Sequence, residues 1–248
     1  MSAPNAGKPD DVTVDTLERG ANGQTSSRRL FMQLQAFGGC GDAKALAASL
    51  ERSQVEAVLY ADLHDARGVG VLTLAEDPAF FTTRLREVLG AEPWGGLTRK
   101  PELAMFGRTY SSGFEADLED WLLGRPRRTV LNPAWPWALW YPLRRTGAFA
   151  KLSAQEQSAI LREHGTTGRA YGDADLAHDI RLACHGLDTR DNDFVIGLCG
   201  KELQPLSHLV QAMRKTVQTS EYMASLGPFF VGHAIWQSPT SPRQDSAK

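Results

Sequence analysis

The sequence predicts an α+β chain built from two ferredoxin-like β-α-β-β-α-β repeats, paired in the manner of a dimeric α/β-barrel. Three observations predict it. Apolar strand-like runs and capped amphipathic segments follow one another in the same order twice. Asp65 and Asp188 stand at matching turns, 123 residues apart, close to half of the 248-residue chain. That length is ample for a sizeable core without disulfide or metal staples. Sheets of this kind cover one face with helices and leave the other apolar, so the two are expected to pack face to face around a cavity.

Residues 1–27 are rich in Gly, Ser, Asn and Asp without a period and read as a disordered tail. The first repeat is expected over 28–115. RLFMQLQAF, from Arg29 to Phe37, is a strand, and DAKALAASLERS is a helix with Asp42 as N-cap. VEAVLYADL is a strand running into the turn His64–Gly68, and VGVLTL is the next strand. EDPAFFTTRLREVLG is a helix with Asp77 as N-cap, Pro78 in its first turn and Gly90 past its end. MFGRTYS closes the repeat as a strand. Residues 116–136 are too apolar for a linker and are expected to form an ordered excursion. The region around it holds four of the six tryptophans, Trp121, Trp135, Trp137 and Trp140. The second repeat is expected over 137–237. WALWYPL is its first strand, and SAQEQSAILREHG is a helix with a Ser153–Glu156 capping box and Gly165 at its C-terminal end. DIRLACHGL and FVIGLCG are strands flanking a turn at Asp188–Asp193. LQPLSHLVQAMRKT is a helix and GPFFVGHAIW the last strand. Residues 238–248 read as a second disordered tail.

Composition narrows the function. Lys plus Arg is 27 and Asp plus Glu 29, giving a formal net charge of −2, without the basic excess a generic nucleic-acid binder carries. No apolar run reaches the ~18 residues of a membrane span, and the polar, acidic start is not a signal peptide. Cys40, Cys184 and Cys199 are odd in number and lack C-x-x-C spacing, which fits a reducing cytoplasm better than a disulfide scaffold or zinc site. Hydrolase, P-loop, zincin and dinucleotide signatures are absent.

Four groups of residues are candidates for chemistry. His164 follows Ile160 by four residues and Leu161 by three, on the apolar side of its helix. It is either a helix-end histidine favoured by the dipole or an axial ligand to metal or haem iron. In Trp140–Arg145, alternation sends Trp140 and Tyr141 to opposite faces. That run is either an aromatic core strand ending in solvated arginines, or a phenol beside a cavity with guanidinium groups at its mouth. Arg125-Pro126-Arg127-Arg128 is a solvated loop or, with Arg144 and Arg145, an anion-recognition rim. In Ala177–Arg181, Asp179 and Arg181 share one face of a strand, while His178 goes with Ile180.

A resemblance joins these residues. Leu161-Arg-Glu-His164-Gly-Thr-Thr-Gly168-Arg169-Ala-Tyr171, Cys184-His-Gly-Leu-Asp188, Met213-Arg214 and Gly227-Pro-Phe-Phe-Val-Gly232 occur in that order. The set resembles the chlorite dismutase family, which includes the coproheme decarboxylases of haem synthesis, most densely from Tyr141 to Trp236. The resemblance implies one haem per chain, haem b or coproheme, in the C-terminal half, and assembly as a homopentamer. It implies His164 as the proximal iron ligand, Tyr141 as the catalytic tyrosine of a Tyr-Pro segment, and Arg145 and Arg127 as propionate-binding residues. Its small-molecule substrate is peroxide or an oxyanion. The chain also departs from the family. Where chlorite dismutases carry a distal arginine the register gives Asp179, with Arg181 nearby. Pro228 replaces a propionate-binding serine, and Gln218 or Thr219 stands where a glutamate supports the proximal histidine. Three activities follow as expectations: oxidative decarboxylation of coproheme to haem b, chlorite cleavage or peroxidase-like turnover, and non-catalytic haem sensing or carriage.

Overall fold

The architecture follows from how each repeat disposes of its sheet edges. A computed structural model describes residues 14–239. Of the tail expected over 1–27, residues 1–13 lie outside the described residues, as do 240–248 of the C-terminal one. From Val14 the chain is ordered as a hairpin of β1 (Glu18–Arg19) and β2 (Thr25–Ser26). Glu18 fastens it by accepting from Arg29 at 3.1 Å and Arg108 at 3.0 Å, a long-range anchor invisible in local composition.

The first repeat then runs β3 (Phe31–Gly38), α1 (Ala43–Ser53), β4 (Ala57–Asp62), β5 (Val69–Ala75), α2 (Ala79–Thr82), α3 (Arg84–Gly90), β6 (Thr98–Arg99) and β7 (Met105–Thr109). Asp42 caps α1 as expected, accepting from Lys44 N and Ala45 N. The single helix expected after Asp77 is two short ones. Thr83 leaves helical geometry at φ −115°, ψ −96°, and the hydroxyls of Thr82 and Thr83 both bond back to the Ala79 carbonyl. The apolar excursion is a π-helical turn over Asp120–Gly124 continuing into α4 (Arg125–Val130), so the Arg125–Arg128 run is helical rather than a loop. Pro126 sits where the π-helical turn passes into α4.

The second repeat comprises β8 (Trp137–Arg145), α5 (Gly147–Ala150), α6 (Ala154–Asp173), β9 (His178–Ala183), β10 (Phe194–Gly200), α7 (Leu203–Met213), α8 (Val217–Tyr222), β11 (Met223–Leu226) and β12 (Phe230–Gln237). The Ser153–Glu156 capping box opens α6 as expected. Gly165 does not end it. The hydroxyls of Thr166 and Thr167 bond the carbonyls four residues back, and the helix runs on to Asp173. Gly168 lies inside it, facing α7, where a Cβ would sit 3.2 Å from Met213 Cε.

Within the repeats the strand orders are β7-β3-β5-β4 and β12-β8-β10-β9, the same ferredoxin-like order twice. The edge strands then pair across repeats, β4 with β12 and β7 with β9, both antiparallel. The sheets therefore join edge to edge into one closed barrel and do not pack face to face around a cavity. Closure satisfies four sheet edges that would otherwise expose unpaired amide and carbonyl groups. The barrel interior is solid: Leu34, Tyr60, Leu72, Trp140, Ile180, Val195 and Phe230 belong to one buried cluster. Room for the two largest rings comes from glycine. A Cβ on Gly197 would lie 2.5 Å from the Trp140 indole, and one on Gly70 would lie 2.3 Å from Phe230. With the interior filled, any ligand site must lie outside the barrel, between a sheet face and its helices.

Candidate haem site on the outer face of the second repeat

The two outer faces differ. In the first repeat, Leu46 and Leu50 of α1 and Leu85 of α3 press against Leu59 and Val71 and join Phe37 and Trp94 in a buried cluster. In the second repeat α7 docks on the sheet through Leu206 and Leu209, whereas α6 has no fully buried residue and packs against that sheet's apolar cluster through half-buried Tyr171. This 20-residue helix with a capped start meets the apolar sheet with half-buried rather than fully buried side chains.

That face is set by strand alternation. Leu139, Tyr141, Leu143 and Arg145 of β8 alternate with inward residues such as Trp140. Ile196 lies between Tyr141 and Arg181 in the register, and Leu198 between Leu139 and Asp179. Tyr141 and Arg181 therefore stand in one row two strand spacings apart, roughly 10 Å. The Tyr141 ring stacks on Phe229 at 4.6 Å between centroids. Burial, with the Asp179 carboxylate adding to it, holds the Tyr141 hydroxyl well above the usual phenol range, so it is neutral.

Arg145 extends between Phe149 and Phe194, with its guanidinium carbon 4.7 and 4.8 Å from the ring centroids. Its Nε is buried without a partner. Burial pulls its pKa below the ordinary guanidinium value, against the opposing pull of Tyr110 and Asp193. A buried, unpartnered guanidinium donor is costly unless a ligand acceptor meets it.

His164 projects from the middle of α6, so the helix-end dipole explanation does not apply. Its Nδ1 lies 2.9 Å from Thr216 Oγ1, and that hydroxyl donates at 2.8 Å to the Met213 carbonyl. With its proton committed there, Thr216 accepts from His164 Nδ1–H, which leaves the Nε2 lone pair available. Burial, reinforced by the positive charges of Arg145 and Arg181, lowers the imidazole to about 4.

Asp179 joins two arginines. Arg125 Nη2 lies 2.8 Å from Oδ1 and Arg181 Nε 2.7 Å from Oδ2. Burial favours the neutral acid, but Arg181 and Arg125 outweigh it and keep Asp179 below the usual carboxylate range. Both guanidinium groups lie over the Trp121 ring, at 4.6 Å for Arg125 and 5.3 Å for Arg181. Trp121 is fixed by its indole N–H, which donates to the Tyr110 carbonyl at 2.9 Å.

The structure thus brings Tyr141, Arg145, His164, Asp179 and Arg181 to one face. It does not bring Arg127 there. Arg127 Nε lies 3.0 Å from both carboxylate oxygens of Glu56, and Nη2 lies 3.5 Å from Glu76, on the first repeat. Helical geometry is the reason: α4 turns Arg125 toward β9 and Arg127, two residues on, away. The histidine's support likewise comes from Thr216, not from Gln218 or Thr219. Sequence reasoning missed Thr216 and gave Trp121 and Phe229 no role, while Arg125, named there in the candidate anion rim, pairs with Asp179. Thr216 carried a usable signal, since it stands at the N-cap of α8, yet its side chain caps no amide there and serves His164 instead.

The residues present fit a haem. One imidazole offers a lone pair, an apolar sheet faces a helix without a fully buried residue, and the buried Nε of Arg145 lacks an acceptor. Among the described residues no group of three or more His, Cys, Asp or Glu could hold a metal ion. Space of about 370 Å³ beside this face is bounded by Arg214, Thr219 and Met223–Leu226.

A model of the chlorite dismutase family matches residues 98–235, more than half of the chain. The chain belongs to the chlorite dismutase family. Among solved structures it is similar to a haem-binding protein from Thermus thermophilus, at 18% identity and TM-score 0.65, covering 83% of this chain and 91% of that one. It is likewise similar to the chlorite dismutase of Candidatus Nitrospira defluvii in complex with imidazole, at 16% identity and TM-score 0.64, covering 85% and 91%. These likenesses establish the shared α+β fold. No curated protein sequence matches the chain. No helix among the described residues is long and apolar enough to cross a membrane.

Proposed function

We propose that the chain is a haem-dependent oxidoreductase that decarboxylates coproheme to haem b with peroxide. The observation that carries this reading is the His164–Thr216 pair, which presents a neutral imidazole lone pair on the face that also holds Tyr141 and Arg145. Family membership and the haem-binding neighbour support the cofactor.

When bound, the haem supplies an iron centre at which peroxide is reduced and oxidising power is generated. His164 would hold the iron through its free Nε2, oriented by Thr216. Arg145, whose buried Nε–H has no partner, would hold a propionate carboxylate. Tyr141, kept protonated, gives up its phenolic hydrogen and recovers one from the propionate side chain. Overall two of the four propionates of coproheme react, each losing CO2 to become a vinyl group while one peroxide and one proton leave as two waters. In this reading the protein works in the cytoplasm as a homo-oligomer, a pentamer by family resemblance.

Chlorite cleavage is the second reading. Arg181, in the Tyr141 row, favours it, and the engagement of Arg181 by Asp179 weighs against it.

The test is to mix haem-free protein with coproheme or haem b, add peroxide and identify the porphyrin by mass. Stepwise loss of two carboxyl groups from coproheme supports the proposal. Uptake of either haem without mass change supports a carrier or sensor instead.

A further inference from the structure

We propose that Asp179 is a specificity-determining residue: by holding Arg181 it withholds a guanidinium from anions, leaving the site selective for a neutral oxidant such as hydrogen peroxide. This rests on the haem reading above. An anionic oxidant needs a cation facing the iron, whereas neutral peroxide does not.

The geometry is a lock with two keys. Asp179 and Arg181 alternate on β9 and project to the same outward face as Tyr141. Each Asp179 oxygen is engaged, Oδ1 by Arg125 at 2.8 Å and Oδ2 by Arg181 at 2.7 Å. Trp121 beneath both guanidinium groups disfavours their swinging away. The π-helical turn over Asp120–Gly124 contains Trp121 and leads directly into Arg125. Such turns are frequent at functional sites. Arg181 still keeps 44% of its side-chain surface exposed, so a released guanidinium has room to reach a ligand. The carboxylate also sets the charge. The three side chains sum to +1 with Asp179 ionised and to +2 with asparagine. Arg145, the other cation felt by His164, is committed between Phe149 and Phe194.

The experiment titrates ferric, haem b-loaded protein with fluoride and follows the absorption spectrum. Asp179→Asn should tighten fluoride about tenfold or more. Adding Arg181→Ala to that variant should return the affinity to within about twofold of wild type. Arg181→Ala alone, which takes the three side chains from +1 to 0, should weaken fluoride rather than tighten it. In the haem-free protein, the Arg181 Nε–H should exchange slowly with water, and Asp179→Asn should speed that exchange. Unchanged fluoride affinity in Asp179→Asn, or tightening that survives Arg181→Ala, overturns the proposal. A wild type that takes up no haem overturns the haem reading and the selectivity with it. Failure of the lock shows separately, as exchange that Asp179→Asn leaves unchanged.

Discussion

His164 Nδ1 and Thr216 Oγ1 lie 2.9 Å apart, joining the middle of α6 to the residue that precedes α8. A neutral hydroxyl supports this histidine. It fixes the tautomer without the electron donation of a carboxylate. Thr216→Val should therefore weaken haem retention roughly 10–100-fold and alter the iron–histidine stretching frequency. Thr216→Ser should restore both. Resonance Raman of the ferrous protein makes the measurement, and an unchanged frequency in the valine variant would contradict the account.

The tyrosine separates chemistry from binding. Tyr141→Phe keeps the stack on Phe229 and removes only the hydroxyl. Coproheme affinity should change by no more than roughly 1–2 kcal/mol, the scale of one hydrogen bond. The first decarboxylation on peroxide addition should stop. Haem b formed at the wild-type rate would remove Tyr141 from the mechanism.

The two arginines expected to bind propionates should now part company. Arg145→Ala removes the buried, unpartnered donor and should weaken coproheme by roughly 1.5–3 kcal/mol, as for a hydrogen bond to a charged group. Arg127→Ala breaks its pairing with Glu56 and Glu76 and should cost at most about 1 kcal/mol of stability. Its coproheme affinity should stay within about 0.5 kcal/mol of wild type. Fluorescence-quenching titrations with coproheme distinguish the two.

Much of the local structure is legible in the sequence because its causes are local. Asp42, the Ser153–Glu156 box and the opposite facing of Trp140 and Tyr141 follow from capping and alternation. Barrel closure is not legible, because the β4–β12 and β7–β9 pairings join segments far apart in sequence. Gly165 misleads because a glycine that ends one helix is tolerated inside another when tertiary contacts hold the helix together. Tyr141, Arg145, His164, Asp179 and Arg181 carry signals in the sequence. Arg127 matches by counting alone, and the turn of α4 decides against it. Thr216 is hidden because its partner lies 52 residues away.

Acid should weaken the haem-free fold through His164. Its imidazole titrates at about 4 in the folded chain against about 6.5 when unfolded. The unfolded chain then binds the extra proton first. The histidine's contribution is complete above about pH 6.5 and is lost as pH falls toward 4. Allowing for partial exposure, the loss is on the order of 1–3 kcal/mol. Urea midpoints at pH 7 and pH 4.5 should differ less in His164→Gln than in wild type; an equal difference would show that other groups dominate.

The central claim is that haem iron binds at His164 on the outer face of the second repeat. The most direct test is the absorption spectrum of wild type and His164→Ala after loading with ferric haem and desalting. The account predicts a Soret band of ligated haem in the wild type and its loss in His164→Ala, with exogenous imidazole restoring it. An unchanged Soret band in His164→Ala would place the iron on another residue and contradict the account.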